Sequence, residues 1–356
     1  MVNKSKIYPI IMVLSASILF GASAPLTKIL LGEIDPIPLA SLLYGGSGIG
    51  LLIFQFINSM IKKEKVDEAP LRKKDFIWLL GAIAAGGIIA PIILLNGLKI
   101  TPASTASLLL NFEGVATTII AIVLFKENVG KQVLSAIVLI TLASIFLSWD
   151  FKNQWGLSVG ALGIILACVC WGIDNNFTRN ISSKNPFSIV SIKGVISGLF
   201  SFILSVILKN KFPDLKIIVI AMVIGFFCYG LSIVLYVFAM RDLGSARTSA
   251  LYGSAPFVGS ILSFILLGDV QSNTFLIALP IMLIGAILLL KEEHFHRHIH
   301  EPLQHEHRHK HPDVHHEHEH TDGQTIINGY HSHYHTHKLV EHTHTHFPDI
   351  HHRHVH

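Results

Sequence analysis

The sequence predicts an all-α integral membrane protein, with ten transmembrane helices arranged as two inverted five-helix repeats and a disordered C-terminal tail. Three observations carry this expectation. Of the 356 residues, 51% are hydrophobic and 14% charged, whereas an ordinary soluble chain carries about 25% charged residues. All 23 histidines lie at or beyond residue 294, so a histidine-free body is followed by a polar tail. Mean hydropathy is +0.55 for the whole chain, and setting the tail aside raises it to roughly +1.0. That composition argues against a soluble enzyme.

A bilayer core about 30 Å thick takes about 20 apolar helical residues per crossing. The first such stretch, 7–31, contains Pro25 and Lys28. The second, 37–60, carries Gly45, Gly46, Gly48 and Gly50, which permit close helix approach. The third, 76–98, has Gly86-Gly87 and Pro91; the fourth, 102–125, holds Asn111 and Glu113; the fifth is 133–149. The sixth, 158–177, includes Cys168, Cys170 and Asp174, and the seventh, 186–208, includes Lys193. The eighth, 215–240, has Cys228, Tyr229 and Tyr236; the ninth, 243–267, and tenth, 274–290, carry Pro256 and Pro280. Cys168 and Cys170 face nearly opposite ways on a helix and read as small buried side chains, not a disulfide. The helix-interior prolines free carbonyls that neighbours or a wet cavity must satisfy.

Orientation follows from lysine and arginine in the short connections. The N-terminal residues, 61–75, 126–132, 178–185, 241–247 and Lys291 together carry 15 basic residues, against six on the opposite side. Both termini are therefore expected in the cytoplasm, the protein itself in the plasma membrane, and its bulk partner is the lipid bilayer. The basic excess belongs to topology; no basic patch with aromatics points to nucleic acid.

Five crossings per half make any internal repeat inverted. Phe20-Gly21 and Thr27-Lys28 match Trp171-Gly172 and Thr178-Arg179 at an offset of 151. Lys99 and Ser107 match Arg241 and Ser249, and Phe125-Lys126-Glu127 matches Leu267-Gly268-Asp269, now at an offset of 142. A longer second connection in the first half accounts for the change. Ten spans, two similar halves, an aromatic-glycine pair in helices one and six and an acidic residue closing helices four and nine resemble the drug/metabolite transporter superfamily, in its EamA-type branch. The resemblance covers 7–291 and gives three parts: 1–150 and 151–291 as the repeats, and 292–356 as the tail. It implies a secondary transporter, with substrate bound near the midplane between the repeats and exposed alternately to each side. One departure stands out: Ala255-Pro256 of the second half is Glu113-Gly114 in the first.

Charges inside spans need a reason. Glu113, with Asn111 two residues before it, is a candidate proton- or cation-coupling site, or a structural carboxyl bonded to a neighbouring helix. Asp174 and Lys193 have matching depths and are expected to pair; with Asn175 they complete the transport and coupling candidates. Lys28 and Arg179 end their helices and read as snorkelling anchors. Asn96, Tyr229 and Tyr236 are candidate cavity residues or packing. No nucleophile elbow, phosphate loop or zincin motif is present, so neither an enzyme nor ATP-driven transport is expected.

The tail repeats a pattern. His307, His309, His311, Asp313, His315, His316, His318 and His320 recur as His342, His344, His346, Asp349, His351, His352, His354 and His356. Neutral imidazoles at alternate positions suit Ni, Zn, Co or Cu ions, with the aspartates as oxygen ligands or supporting partners. The membrane body requires no cofactor. A small metabolite, a metal or a metal complex is the expected substrate, with export the expected direction. The alternative is a membrane-anchored transition-metal sensor or buffer that moves no solute.

Overall fold

The computed structural model describes residues 4–61, 69–125, 130–149, 158–182, 184–243, 248, 251–290, 294–300, 304–310, 330–336 and 340–346. In the first half, α1 (Lys4–Gly21) and α2 (Ser23–Leu30) form one crossing broken at Ala22, and α3 (Pro36–Ile61) the next. The break has a cause: the Pro25 ring meets the carbonyl of Gly21 four residues back and offers no N–H to it. The third crossing joins α4 (Phe76–Ala82), a π-helical turn at Ile83–Ile89, and α5 (Ala90–Lys99). The fourth is α6 (Ala103–Leu109) and α7 (Phe112–Phe125), parted by a turn at Leu110 and Asn111; α8 (Lys131–Leu147) follows.

The second half begins with α9 (Val159–Arg179) and α10 (Pro186–Ile207). Then come α11 (Leu215–Ile224), a second π-helical turn at Gly225–Leu231, and α12 (Ser232–Leu243). α13 (Ala255–Leu267) and α14 (Asn273–Leu290) complete the body. The two π-turns are each seven residues long and lie 142 apart, the offset that relates the repeats in sequence.

Among the described residues, seven helical runs are long and apolar enough to cross a membrane. Three shorter apolar helices, Lys131–Leu147, Ala255–Leu267 and Asn273–Leu288, stand where the fifth, ninth and tenth crossings are expected. The ninth is shortened by a turn at 253–254, just before Pro256. Phe56, Ile77, Val123, Leu142, Ile203 and Ile265 are exposed, an apolar outer surface suited to hydrocarbon.

The halves interleave. α3 packs on α10, α11 and the second π-turn; α1 packs on α12 and α13; α8 packs on α14; and α5 and α7 pack on α9. Glycines set the closest of these approaches: a β-carbon on Gly194 would lie 2.6 Å from the Gly48 nitrogen, whereas one on Gly45 would meet nothing within 4 Å. Gly194→Ala is therefore expected to destabilise the fold by about 1–3 kcal/mol through overpacking, and Gly45→Ala to leave it unchanged or slightly firmer. Thermal unfolding of both variants in detergent checks this; equal melting temperatures would remove the close-packing argument.

The tail departs from the expected disorder in its described residues. β1 (His294–His300) pairs antiparallel with β4 (Val340–His346), and β2 (Gln304–Lys310) with β3 (Tyr330–Thr336). Histidine at alternate positions is a period-two pattern, which an extended chain accommodates.

Candidate functional site

Glu113 is the second residue of α7, directly after the turn that breaks the fourth crossing, and it is half-buried. It is not alone. The Asn175 side-chain amide donates to Glu113 Oε1 at 2.8 Å and to Thr117 Oγ1 at 3.2 Å. Asn176 donates to the Thr117 carbonyl at 3.0 Å and to the Gly172 carbonyl at 2.8 Å. These amides tie α7 of one half to α9 of the other. Gly172 makes the approach feasible, because a β-carbon there would lie 2.9 Å from the Thr117 nitrogen. Asn111, by contrast, is buried and donates to the Leu108 carbonyl at 3.0 Å. It satisfies the broken turn and does not join Glu113.

Lys193 Nζ donates to Oδ2 of Asp174, the residue directly before Asn175, with the lysine and aspartate side chains 14% and 6% exposed. Thr178 Oγ1 donates to the other carboxylate oxygen at 2.9 Å. The Asp174 carboxylate rests on Gly86, and Gly87 lies against Ser197. A β-carbon on Gly86 would overlap the Asp174 carboxylate, and one on Gly87 would overlap Ser197 Oγ. Only glycine fits at position 86, beneath the Asp174 carboxylate.

A string of rings runs beside these charges: Tyr44 to Tyr229 at 5.6 Å, Tyr229 to Phe20 at 6.2 Å, Phe20 to Tyr252 at 5.5 Å and Tyr252 to Tyr236 at 4.8 Å. Phe20 also meets Trp171 edge-on at 6.2 Å. Of the three side chains weighed from sequence as cavity residues, Tyr229 and Tyr236 belong to this string. Asn96 does not; it donates to its own helix at the Ile92 carbonyl. Tyr44 and Tyr252 were missed by sequence reasoning. Phe20 and Trp171 carried a signal, since they are the repeat-related aromatics.

Lys28 corrects the snorkelling expectation. Its ammonium donates to the carbonyls of Leu98, Lys99 and Thr101 at 2.6, 2.9 and 2.9 Å. It thus closes the C-terminal end of α5, where carbonyls lack helical partners. Asp269 Oδ2 accepts from the Ser104 nitrogen at 2.8 Å, and Lys99 pairs with Asp35 at 3.1 Å. Glu127, its counterpart in the first half, lies outside the described residues.

In the tail, His294, His296 and His298 are register partners of His346, His344 and His342. His305, His307 and His309 partner His335, His333 and His331. The pairing therefore joins each repeat to other segments of the tail. His311, Asp313, His315, His316, His318, His320, Asp349, His351, His352, His354 and His356 lie outside the described residues. Among the described residues no group of three or more His, Cys, Asp or Glu side chains is placed to hold a metal ion.

Duplicated halves, interleaved apolar helices, broken crossings and charges at the junction between halves define a multi-pass membrane protein of the transporter class. The chain belongs to the EamA-like transporter family, whose sequence profile matches residues 7–149 and 158–291. It is 28% identical over 298 residues to an "Uncharacterized transporter" of Methanothermobacter thermautotrophicus, covering 80% of this chain and 86% of that protein. It is 28% identical over 269 residues to the "Uncharacterized transporter YyaM" of Bacillus subtilis, covering 71% and 84%. A solved crystal structure at 16% identity superposes with a TM-score of 0.56 over 81% of this chain and 96% of its own, a likeness of fold.

Proposed function

We propose that the protein is a secondary transporter that exports a small metabolite, a metal or a metal complex across the plasma membrane by alternating access. Its ten helices cross the bilayer with both termini in the cytoplasm. The observation that carries this reading is Glu113, a carboxylate beside a helix break, bonded across the two halves to Asn175. Broken helices that present polar groups between inverted repeats are the usual form of a substrate and coupling-ion site. Glu113 is the coupling group in this reading, with Asn175, Asp174 and Lys193 around it. Asn111 serves the turn. Flux of candidate solutes into liposomes containing the purified protein tests the reading, with solutes chosen by growth of a deletion strain on metals, amino acids and drugs. No flux of any solute that alters growth would defeat it.

The tail binds Ni, Zn, Co or Cu in the same proposal, and the six histidine–histidine register positions support it. Linked imidazoles raise one another's effective concentration into the millimolar range, so capture is expected at micromolar or tighter. Binding should release protons and fail below about pH 5.5, where an imidazole of pKa ~6.5 is mostly charged. Calorimetry with nickel and zinc chlorides on the full chain and on a chain ending at Glu293 checks this; identical heats would dismiss it. The register positions also favour a second reading, a membrane-anchored metal sensor or buffer. Metal binding without solute flux is the result that would establish it.

A further inference from the structure

The π-turn of the third crossing has an unusual hydrogen-bond problem. In its observed register the Ala90 nitrogen donates to the Ala85 carbonyl, five residues back. The next donor in that register would be residue 91, reaching the Gly86 carbonyl, but residue 91 is proline and has no N–H. The Gly86 carbonyl is thereby stripped of a backbone partner in the middle of the body. Two side chains supply what is missing. Tyr44 Oη donates to it at 2.9 Å and Trp171 Nε1 at 3.1 Å, both in buried surroundings.

An ordinary α-helical register would change the accounting. Ala90 would then bond Gly86, the Gly87 carbonyl would face Pro91 without a donor, and the Gly86 oxygen, with two lone pairs, could keep only one of the Tyr44 and Trp171 donors. Each such unpaired buried group is costly. The two side chains therefore select the π register over the α register. The second half lacks this arrangement. There the corresponding bond runs from the Ser232 nitrogen to the Phe227 carbonyl. The position matching Pro91 is Ile233, which keeps its N–H, and the position matching Trp171 is Phe20, which has no donor.

We propose that Tyr44 and Trp171 are positioning residues: by holding the carbonyl that Pro91 orphans, they fix the π register of helix three and so keep Gly86 beneath the carboxylate of the Asp174–Lys193 pair. Trp171 stands one turn before Asp174 on α9, so one helix both holds the carbonyl and carries the carboxylate seated against the same glycine. A shift of register would rotate that seat away. The relevance to transport rests on the proposed role of Asp174 and Lys193. The test below reads the geometry itself and stands or falls separately from that role.

Full-length protein in lipid nanodiscs is compared as the parent, Trp171→Phe, Tyr44→Phe and Trp171→Phe with Pro91→Ala. Backbone hydrogen exchange is followed over 83–90 and over the repeat-related 225–231, and Lys193 acylation by a small amine-reactive ester is timed. Tyr44→Phe is nearly isosteric, so it carries the test if Trp171→Phe folds poorly. Loss of either donor is expected to raise exchange over 83–90 and acylation of Lys193 about fivefold, the scale of one net hydrogen bond, with 225–231 unchanged. Pro91→Ala gives the turn a backbone donor in either register, so it should return exchange over 83–90 to near the parent rate, although it restores no volume at position 171. Unchanged exchange in both single variants overturns the proposal. So does an equal rise in both π-turns, a rise that Pro91→Ala does not reverse, or faster exchange with Lys193 no more reactive.

Discussion

Glu113→Gln should leave the protein folded and abolish gradient-driven accumulation of its solute. Glutamine keeps an oxygen where Oε1 accepts from Asn175 at 2.8 Å, so the bond between α7 and α9 survives. It loses the ability to exchange a proton or to neutralise a coupling cation. Energetically uncoupled steps need not suffer. Counterflow of labelled against unlabelled solute should persist in proteoliposomes, while net accumulation falls to the level set by the solute's own gradient. The contrast between the two assays is the diagnostic. Normal accumulation by the variant would remove Glu113 from coupling and leave it the structural carboxyl that the sequence also allowed. Loss of counterflow as well would place its role in binding.

The second large effect is expected at the buried ion pair. Asp174→Asn alone leaves the Lys193 ammonium without its counter-charge, and Lys193→Met alone does the same to the carboxylate. Breaking a buried pair from one side costs about 3–5 kcal/mol, because the remaining charge stays desolvated. The two side chains are 14% and 6% exposed, so water relieves little of that cost. Asn at 174 still offers an oxygen to Thr178, whose hydroxyl donates at 2.9 Å. The double variant should therefore be more stable than either single one. Melting temperatures and yields of the four proteins in detergent make the comparison, and additive losses at the two positions would rule out the pair as an energetic unit.

How far the sequence anticipated this arrangement differs from residue to residue. Depth along two helices was enough to pair Asp174 with Lys193, because a lone charge in a bilayer demands a partner and few were on offer. The 142-residue offset between repeats, read from other positions, also separates the π-turns of the third and eighth crossings. It did not foretell the turns themselves. A π-turn depends on which donors reach a carbonyl from other helices, and Tyr44 and Trp171 are 42 and 85 residues from Gly86. The same reason hid the fate of Lys28: an ammonium at a helix end snorkels by default, and only the fold brings three carbonyls to it. Asn111 shows the opposite error. Its closeness to Glu113 in sequence suggested a shared site, whereas the break in the helix turned its amide back on the Leu108 carbonyl. In the tail, alternation of histidine was legible, but the choice of strand partner was not, because identical spacing fits many registers.

The bonds of the first crossing also bear on how the protein is made. Lys28 finds its carbonyls 70 to 73 residues later in the chain, and Ser17 bonds Ser254 at 2.6 Å and the Tyr252 carbonyl at 3.3 Å, 237 and 235 residues later. At about 5–20 residues per second of synthesis, the first helix waits roughly 10–50 s in the bilayer before Ser17 has a partner. For most of that interval α3 has no α10 and α1 no α12 or α13, and α8 still has no α14 at its end. The nascent helices stay as separately inserted, loosely associated segments, and the ribosome's progress through the second half completes the assembly. Cellular quality control has its longest opportunity during this wait, so two halves expressed as independent chains would each be short-lived unless the other were made alongside.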